Sequence, residues 1–416
     1  MKIGVIGAGH RGRNAYARLL RNYEDVEIVS FVDTDLERLK SSQDEFGINN
    51  EYIFDNSDDF FEKMDEDKFV DTLIIATPDR DHYDICMKAL DYNLDILLEK
   101  PISPIPDEVA KIAKKAKEAG RVFMICHVLR YSPFFVKIKE ILESGAIGKV
   151  MSINHNENIG YFHFAHSFVR GNWRNEELSS PLILQKSCHD MDILLYLTEA
   201  NPLTISSFGK LSYFKEENQP TGAADRCLDC KYQDTCIFSV KDFYTGYPGA
   251  GWRNVVDVSM TDSGLEKALR EGPYGRCVYK CDNNVCDHQA IAIEFDNDIE
   301  AVFNLTAFSN NVHRNIKIQG TEGELIADDH TQKITVQRFK EYRTTTYDVI
   351  TNASGHGGAD YGIIDAFVKA IRGDSDKVKT GADESVMSHM MCFASEVSRK
   401  EGKKINIEDY IRGLNE

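Results

Sequence analysis

Lys2-Ile3-Gly4-Val5-Ile6-Gly7-Ala8-Gly9-His10-Arg11-Gly12 opens the chain with an apolar run that breaks into a glycine-rich turn. The run Lys2–Ile6 reads as a buried strand, and Arg13–Arg21 beyond the turn as a helix. Gly7, Gly9 and Gly12 allow a tight turn, close approach of a pyrophosphate to backbone N–H groups, and close helix–strand packing. The helix N-terminus adds partial positive charge, and His10 and Arg11 lie in the same turn as candidate cofactor contacts. Asp33 ends a second apolar run, Val26–Val32, about 20 residues further on. A carboxylate there accepts hydrogen bonds from an adenosine ribose and repels a 2′-phosphate, which predicts NAD in preference to NADP. Arg38 softens that preference.

Outward from this turn, Thr72–Ala76, Ile96–Leu98 and Val122–Cys126 read as further buried strands. Leu36–Phe46, His82–Tyr92 and Pro106–Ala119 read as helices between them, the last stopped by Gly120. The β-α repetition predicts an α/β fold: a Rossmann-like, doubly wound parallel sheet over residues 1–125. Beyond it the texture changes. Pro133–Ser144 and Gln185–Leu197 read as helices, and Lys149–Glu157 as a strand. Leu203–Phe208, Gln289–Phe295, Glu300–Ala307, Asn315–Gly320, Gly323–Asp328 and Ile334–Phe339 follow as β runs. That order predicts an α+β domain with a large, mostly antiparallel open sheet over 126–350. An irregular, cysteine-rich insertion interrupts it at about 216–286. Residues 351–416, with helices Tyr361–Ile371 and Glu384–Arg399 and a basic Lys400–Lys404 turn, form a helical segment packing back on the chain.

The chain has 416 residues, with 49 Lys and Arg against 67 Asp and Glu, a formal net charge of −18. Such a surface repels phosphate backbones and anionic lipid, so neither nucleic acid nor membrane is an expected partner. No stretch approaches the roughly 18 apolar residues of a membrane span. The N-terminus reaches glycine too soon for a secretory signal and no twin-Arg leader precedes it, so a cytoplasmic location is expected.

Several clusters carry chemistry. Thr77-Pro78 ends a strand at the expected switch-point crevice, and His82 opens the next helix. Glu99-Lys100-Pro101 follows the strand Ile96–Leu98, which puts Lys100 at its carboxyl end, facing the ligand crevice. There a partly desolvated amine can act as acid, base or relay. His127, Arg130 and Tyr131, just past the last strand of the first sheet, face the same cleft. Tyr161-Phe162-His163-Phe164-Ala165-His166 and Arg170-Gly171-Asn172-Trp173-Arg174 combine rings, imidazoles and guanidinium groups. This suits a polyol, whose apolar face stacks on rings while its hydroxyls hydrogen-bond to polar groups. In Gln185-Lys186-Ser187-Cys188-His189-Asp190-Met191-Asp192, Gln185, His189 and Asp192 share one helix face. Lys186 reaches the same pocket from its rim.

Gly7–Gly12, Thr77-Pro78, Glu99-Lys100-Pro101 and the helix holding His189 and Asp192 together resemble the glucose–fructose oxidoreductase / inositol dehydrogenase (Gfo/Idh/MocA) family, in order and over nearly the whole chain. The resemblance implies an N-terminal Rossmann domain and a C-terminal α/β domain whose open sheet often makes an oligomer interface. It implies a nicotinamide cofactor and a sugar, cyclitol or related substrate. It also implies that Lys100 contacts both cofactor and substrate, and that His189 sits by the oxidised carbon. Glu99 joins the cofactor contacts, as do Trp173 and Arg174 in a loop closing over the nicotinamide. Arg130, Tyr131, His163, Arg170, Lys186 and Asp192 become substrate contacts. One position departs: family helices often read Asp-x-x-x-His-x-x-Asp, and here Gln185 replaces the first aspartate.

Of ten cysteines, six fall in the irregular segment. Cys227 and Cys230 have the two-residue spacing by which one loop offers two thiolates to a metal. With Cys236 and Cys277 they form an expected structural zinc site, an iron–sulfur cluster being less favoured. Cys281 serves almost as well as Cys277, and six reduced thiols are the rival reading. The whole predicts an NAD-dependent oxidoreductase acting on a carbohydrate or cyclitol hydroxyl, with Lys100 and His189 catalytic, in a dimer or tetramer. An NAD-recycling glycosidase that works through transient oxidation and elimination is one alternative. A non-catalytic NAD-binding regulator is another.

Overall fold

In the computed structural model, which describes residues 1–350 and 355–414, strands group into two sheets. The first contains β1 (Lys2–Ile6), β2 (Glu27–Val32), β3 (Ile53–Phe54), β4 (Thr72–Ile75), β5 (Asp95–Leu98) and β6 (Phe123–Ile125). All pairs are parallel and the order is β3-β2-β1-β4-β5-β6. The order reverses between β1 and β4, so their carboxyl ends flank the crevice in which such sheets bind ligands. Connecting helices start and stop where local chemistry dictates. The Asp35 side chain accepts from the backbone N–H groups of Glu37 and Arg38, and Gly47 closes that helix in the left-handed region. The helix after β1 spans His10–Leu20, three residues earlier at its start than its sequence pattern suggested, and its first two turns are widened into a π-helix. The short β3 and the Ser57–Glu66 helix, with little periodic signal of their own, escaped the sequence reading.

The second sheet contains β7 (Val150–Asn158), β8 (Pro202–Lys210), β9 (His288–Phe295), β10 (Glu300–Thr306), β11 (His313–Gly320), β12 (Gly323–Asp328), β13 (Lys333–Arg338), β14 (Thr344–Asp348) and β15 (Ile405–Asn406). Their order is β14-β13-β12-β11-β7-β10-β9-β8-β15, antiparallel except for the pair β7–β10. Strict alternation along β9 and β10 buries Ile291, Ile293, Phe295, Ala301, Phe303 and Leu305 on one face. Against that face packs the Leu182–Thr198 helix, hereafter the site helix. It is almost wholly buried, its charged middle turns included.

The Ala382–Glu401 helix packs on the site helix, on β8 and on the Pro106–Ala119 helix of the first sheet. A third terminal helix, Ile407–Leu414, adds to the two expected. Residues 351–354 and 415–416 of the expected C-terminal segment lie outside the described residues. Between β8 and β9 the cysteine-rich stretch forms short helices, the longest Asp262–Glu271, around a small core of Cys227, Val240, Tyr244, Leu265 and Leu269. No described helix is long and apolar enough to cross a membrane.

Candidate active site

The glycine turn has the shape of a pyrophosphate cradle. Gly7 has a φ of +99°, and a Cβ there would lie 2.4 Å from the Ala76 carbonyl oxygen. A Cβ on Gly12 would lie 2.0 Å from the Gly7 carbonyl oxygen, whereas one on Gly9 would meet nothing within 4 Å. Gly7 and Gly12 are thus demanded by packing, and Gly9 leaves the outer lip open to a ligand. Asp33 stands beside the turn, its carboxylate accepting from the Ala8 N–H at 2.8 Å and the Asp35 N–H at 2.9 Å.

Arg11, expected on the cofactor, points into an ion cluster instead. Its Nε lies 2.7 Å from Glu99 Oε1, and two of its nitrogens lie 2.9 Å from the Asp360 carboxylate. Tyr16 also donates to Glu99 Oε1, and the Lys100 N–H to Oε2 at 3.0 Å. Burial raises the proton affinity of Glu99, but Arg11, Lys100 and these hydrogen bonds outweigh it and hold the carboxyl below its usual range. Glu99 therefore fixes the direction of the turn from beneath. His82 works similarly: its ring nitrogens lie 2.8 Å from the Pro101 carbonyl and 3.1 Å from the Thr77 carbonyl. The ring thus lies between Thr77-Pro78 and Lys100-Pro101.

Lys100 Nζ leaves the end of β5 and donates to the Gln185 carbonyl at 2.9 Å. In a helix that carbonyl is also offered to the N–H of residue 189, so the amine docks on the turn that carries His189. The His189 ring stands 5.7 Å from that of His127, which stands 5.5 Å from that of His389. Burial pushes the His127 proton affinity well down, and that of His389 down to about 3.

Every charged side chain on the site helix has a partner, as burial requires. Lys186 Nζ lies 3.1 Å from Glu157, which also pairs with Arg314 at 2.8 Å. Asp190 takes Arg314 at 2.7 Å and His155 at 2.8 Å. Asp192 and Arg130, both expected on substrate, grip each other through two bonds of 2.7 and 2.8 Å. Tyr131 Oη accepts from the Lys379 N–H at 2.9 Å. Gln185 donates to the buried Asp79 carboxylate and, at 2.8 Å, to Ser179 Oγ. The sequence reading missed Asp79; its signal was an acidic residue directly after Thr77-Pro78.

Residues 161–170 form a short α-helix and a π-turn rather than the expected loop. His163 packs among rings, 5.1 Å from Trp252 and 5.9 Å from Phe168, and the half-exposed Trp173 lies 6.0 Å from Phe168. Two residues expected on ligands turn into the insertion. Arg170 donates to the Arg276 and Phe238 carbonyls at 2.7 and 2.8 Å, and Arg174 forms a two-bond pair with Asp282. A guanidinium buried among carbonyls of the insertion anchors it and is not free to meet a polyol.

Cys227, Cys230, Cys236 and Cys277 line one cavity of about 330 Å³. The zinc or iron–sulfur expectation is nevertheless corrected. Among the described residues no group of three or more His, Cys, Asp or Glu side chains is placed to hold a metal ion. The thiols have other engagements: Cys227 accepts from Arg170 and donates to the Arg276 carbonyl, and Gln219 donates to Cys277. Burial pushes the Cys236 and Cys277 thiols up.

Comparison with known proteins agrees with this architecture. Residues 1–127 match the oxidoreductase family, NAD-binding Rossmann fold, and residues 139–407 match its C-terminal alpha/beta domain. The chain is 25% identical to a putative oxidoreductase, YteT, from Bacillus subtilis over 352 residues, 80% of each chain. It is 22% identical to an inositol 2-dehydrogenase from Arthrobacter sp. over 287 residues, 68% of this chain and 79% of the other. An oxidoreductase from Agrobacterium radiobacter, solved in complex with NAD+, L-tartaric acid and magnesium, shares the fold with a TM-score of 0.71 at 15% identity, covering 98% of this chain and 99% of the other. The chain belongs to the Gfo/Idh/MocA oxidoreductases, which join an NAD-binding Rossmann fold to a C-terminal α/β domain.

Proposed function

We propose that this enzyme moves a hydride between NAD and a secondary hydroxyl of a sugar or cyclitol, in the crevice between its two sheets. The carrying observation is the docking of Lys100 Nζ on the Gln185 carbonyl, on the helical turn that presents His189. Gly7, Gly9 and Gly12 would admit the pyrophosphate and Asp33 the adenosine ribose, with NAD preferred to NADP; Thr77 and Pro78 would line the nicotinamide side. Bound nicotinamide supplies the hydride acceptor. The chain's own groups handle the proton: His189 takes it from the hydroxyl, and Lys100 donates a hydrogen bond to the oxygen as negative charge develops. A related inositol 2-dehydrogenase supports the substrate class. The ten unpaired thiols suit a reducing cytoplasm. The open face of the second sheet suits a dimer or tetramer.

The test is NADH formation by the purified protein across inositols and aldoses. Lys100→Met is expected to lower kcat by about 10²–10⁴-fold while NAD still quenches tryptophan fluorescence. Absence of turnover on the whole panel, or full activity in the variant, overturns the reading.

A further inference from the structure

A partly buried ammonium needs a counter-charge. The carboxylate next to Lys100 in sequence, Glu99, faces Lys100 but divides its charge with Arg11 and also accepts from Tyr16. Other titratable groups facing Lys100 include Asp79 after β4, His127 after β6, Cys188 on the site helix and His389 on the Ala382–Glu401 helix, with His189 on the helical turn that receives its amine. Burial keeps His127 and His389 neutral and pushes the Cys188 thiol up to about 12. Asp79 is the second carboxylate facing Lys100; burial, the largest influence on it, raises its proton affinity, and His82 and Lys100 oppose that rise.

Asp79 is 8% exposed, yet its nearest donors are neutral. Gln185 Nε2 donates to Oδ2, and Ser180 Oγ does so at 3.3 Å. Gln185 also receives Lys100 Nζ on its backbone carbonyl. One residue therefore touches both ions, amide to carboxylate and carbonyl to ammonium. We propose that Asp79 is the counter-ion of Lys100, a positioning residue that acts across Gln185 to keep the amine protonated and aimed at the substrate oxygen. Only the kinetic arm of the test rests on the oxidoreductase reading above.

The experiment follows the pH dependence of Lys100 acylation by acetic anhydride in the full-length protein with NAD present, quantified by peptide mass spectrometry. Asp79→Asn is expected to lower the Lys100 midpoint by about one pH unit, a tenfold change in proton affinity. The double variant Asp79→Asn/Gln185→Asp, which moves the carboxylate across the contact, is expected to restore it. Gln185→Met keeps the carbonyl but removes the amide, and is expected to lower the midpoint too; it decides the matter if Asp79→Asn does not fold. An unchanged midpoint in the folded variants overturns the proposal. With an active substrate, the limb of the kcat/KM profile assigned to Lys100 moves by the same amount while NAD affinity holds. If the wild type oxidises nothing, the oxidoreductase reading fails, and the acylation midpoints still decide for or against Asp79.

Discussion

Arg11 serves three acceptors that lie far apart in the chain: Glu99, Asp360 and the Tyr16 hydroxyl. Glu99 and Asp360 are both buried, so neither carboxylate has water to fall back on. Arg11→Ala takes the guanidinium away from two buried carboxylates, and breaking a buried pair by removing one partner costs about 3–5 kcal/mol. Urea denaturation of the variant should show that loss. A change below about 1 kcal/mol would mean the cluster is effectively solvated. Glu99→Gln should cost less, because Gln still accepts from Tyr16 and Arg11. At this scale Gly7, Gly12 and Lys100 were legible because each follows an apolar strand whose end sets its address. The partner of Lys100 was not. Asp79 and Gln185 are 106 positions apart, and periodicity carries no information about which turn meets which helix.

Helices and strands were read from apolar period and from caps, so Leu36–Phe46 and Pro106–Ala119 come out with their expected bounds. The helical character of residues 161–170 was hidden, because its aromatic density looked like a ligand loop. The Ala382–Glu401 helix shows what an element gains from its neighbours. His389 lies wholly inside, with Nε2 accepting from the Ile102 N–H at 2.9 Å and Nδ1 donating to the Ser385 carbonyl at 2.8 Å. It pins that helix to the turn after Lys100. Folded His389 and His166 titrate down at about 3, whereas an unfolded histidine titrates near 6.5. Protons therefore favour the unfolded chain as pH falls below about 6.5, and the loss continues towards about 3. From about pH 7 to about pH 5 each histidine should remove roughly 2 kcal/mol of stability. In urea titrations at the two pH values, His389→Gln should shrink the difference by about that much. An unaltered difference would place the acid sensitivity elsewhere.

On the scale of the whole molecule, the second sheet buries one face and exposes the other. Val302 stands opposite Ala292, and Lys317 opposite Ile326, on the outer side. Phe208 is 73% exposed on β8, with Leu203, Val302 and Ile326 each roughly half as buried as they could be. A broad face with such residues suits the proposed association between copies of the chain. Phe208→Asp with Ile326→Lys should yield a smaller species by light scattering, its cofactor turn untouched. A mass identical to the wild type would rule this face out as an association surface. The cysteine-rich insertion is fastened at the same scale, through Arg170 and Arg174, residues that by composition alone looked ready for a sugar.

The chain by itself determined the two-sheet plan, the cofactor turn and the address of Lys100, because these follow from local period, glycine placement and strand ends. Tertiary structure decided the destinations of the charges. Lys186, Asp192, Arg130, Arg170 and Arg174 all looked available in sequence, yet each has a partner from another element. A buried charge must be met, and which group meets it depends on packing between elements, which local sequence patterns do not encode.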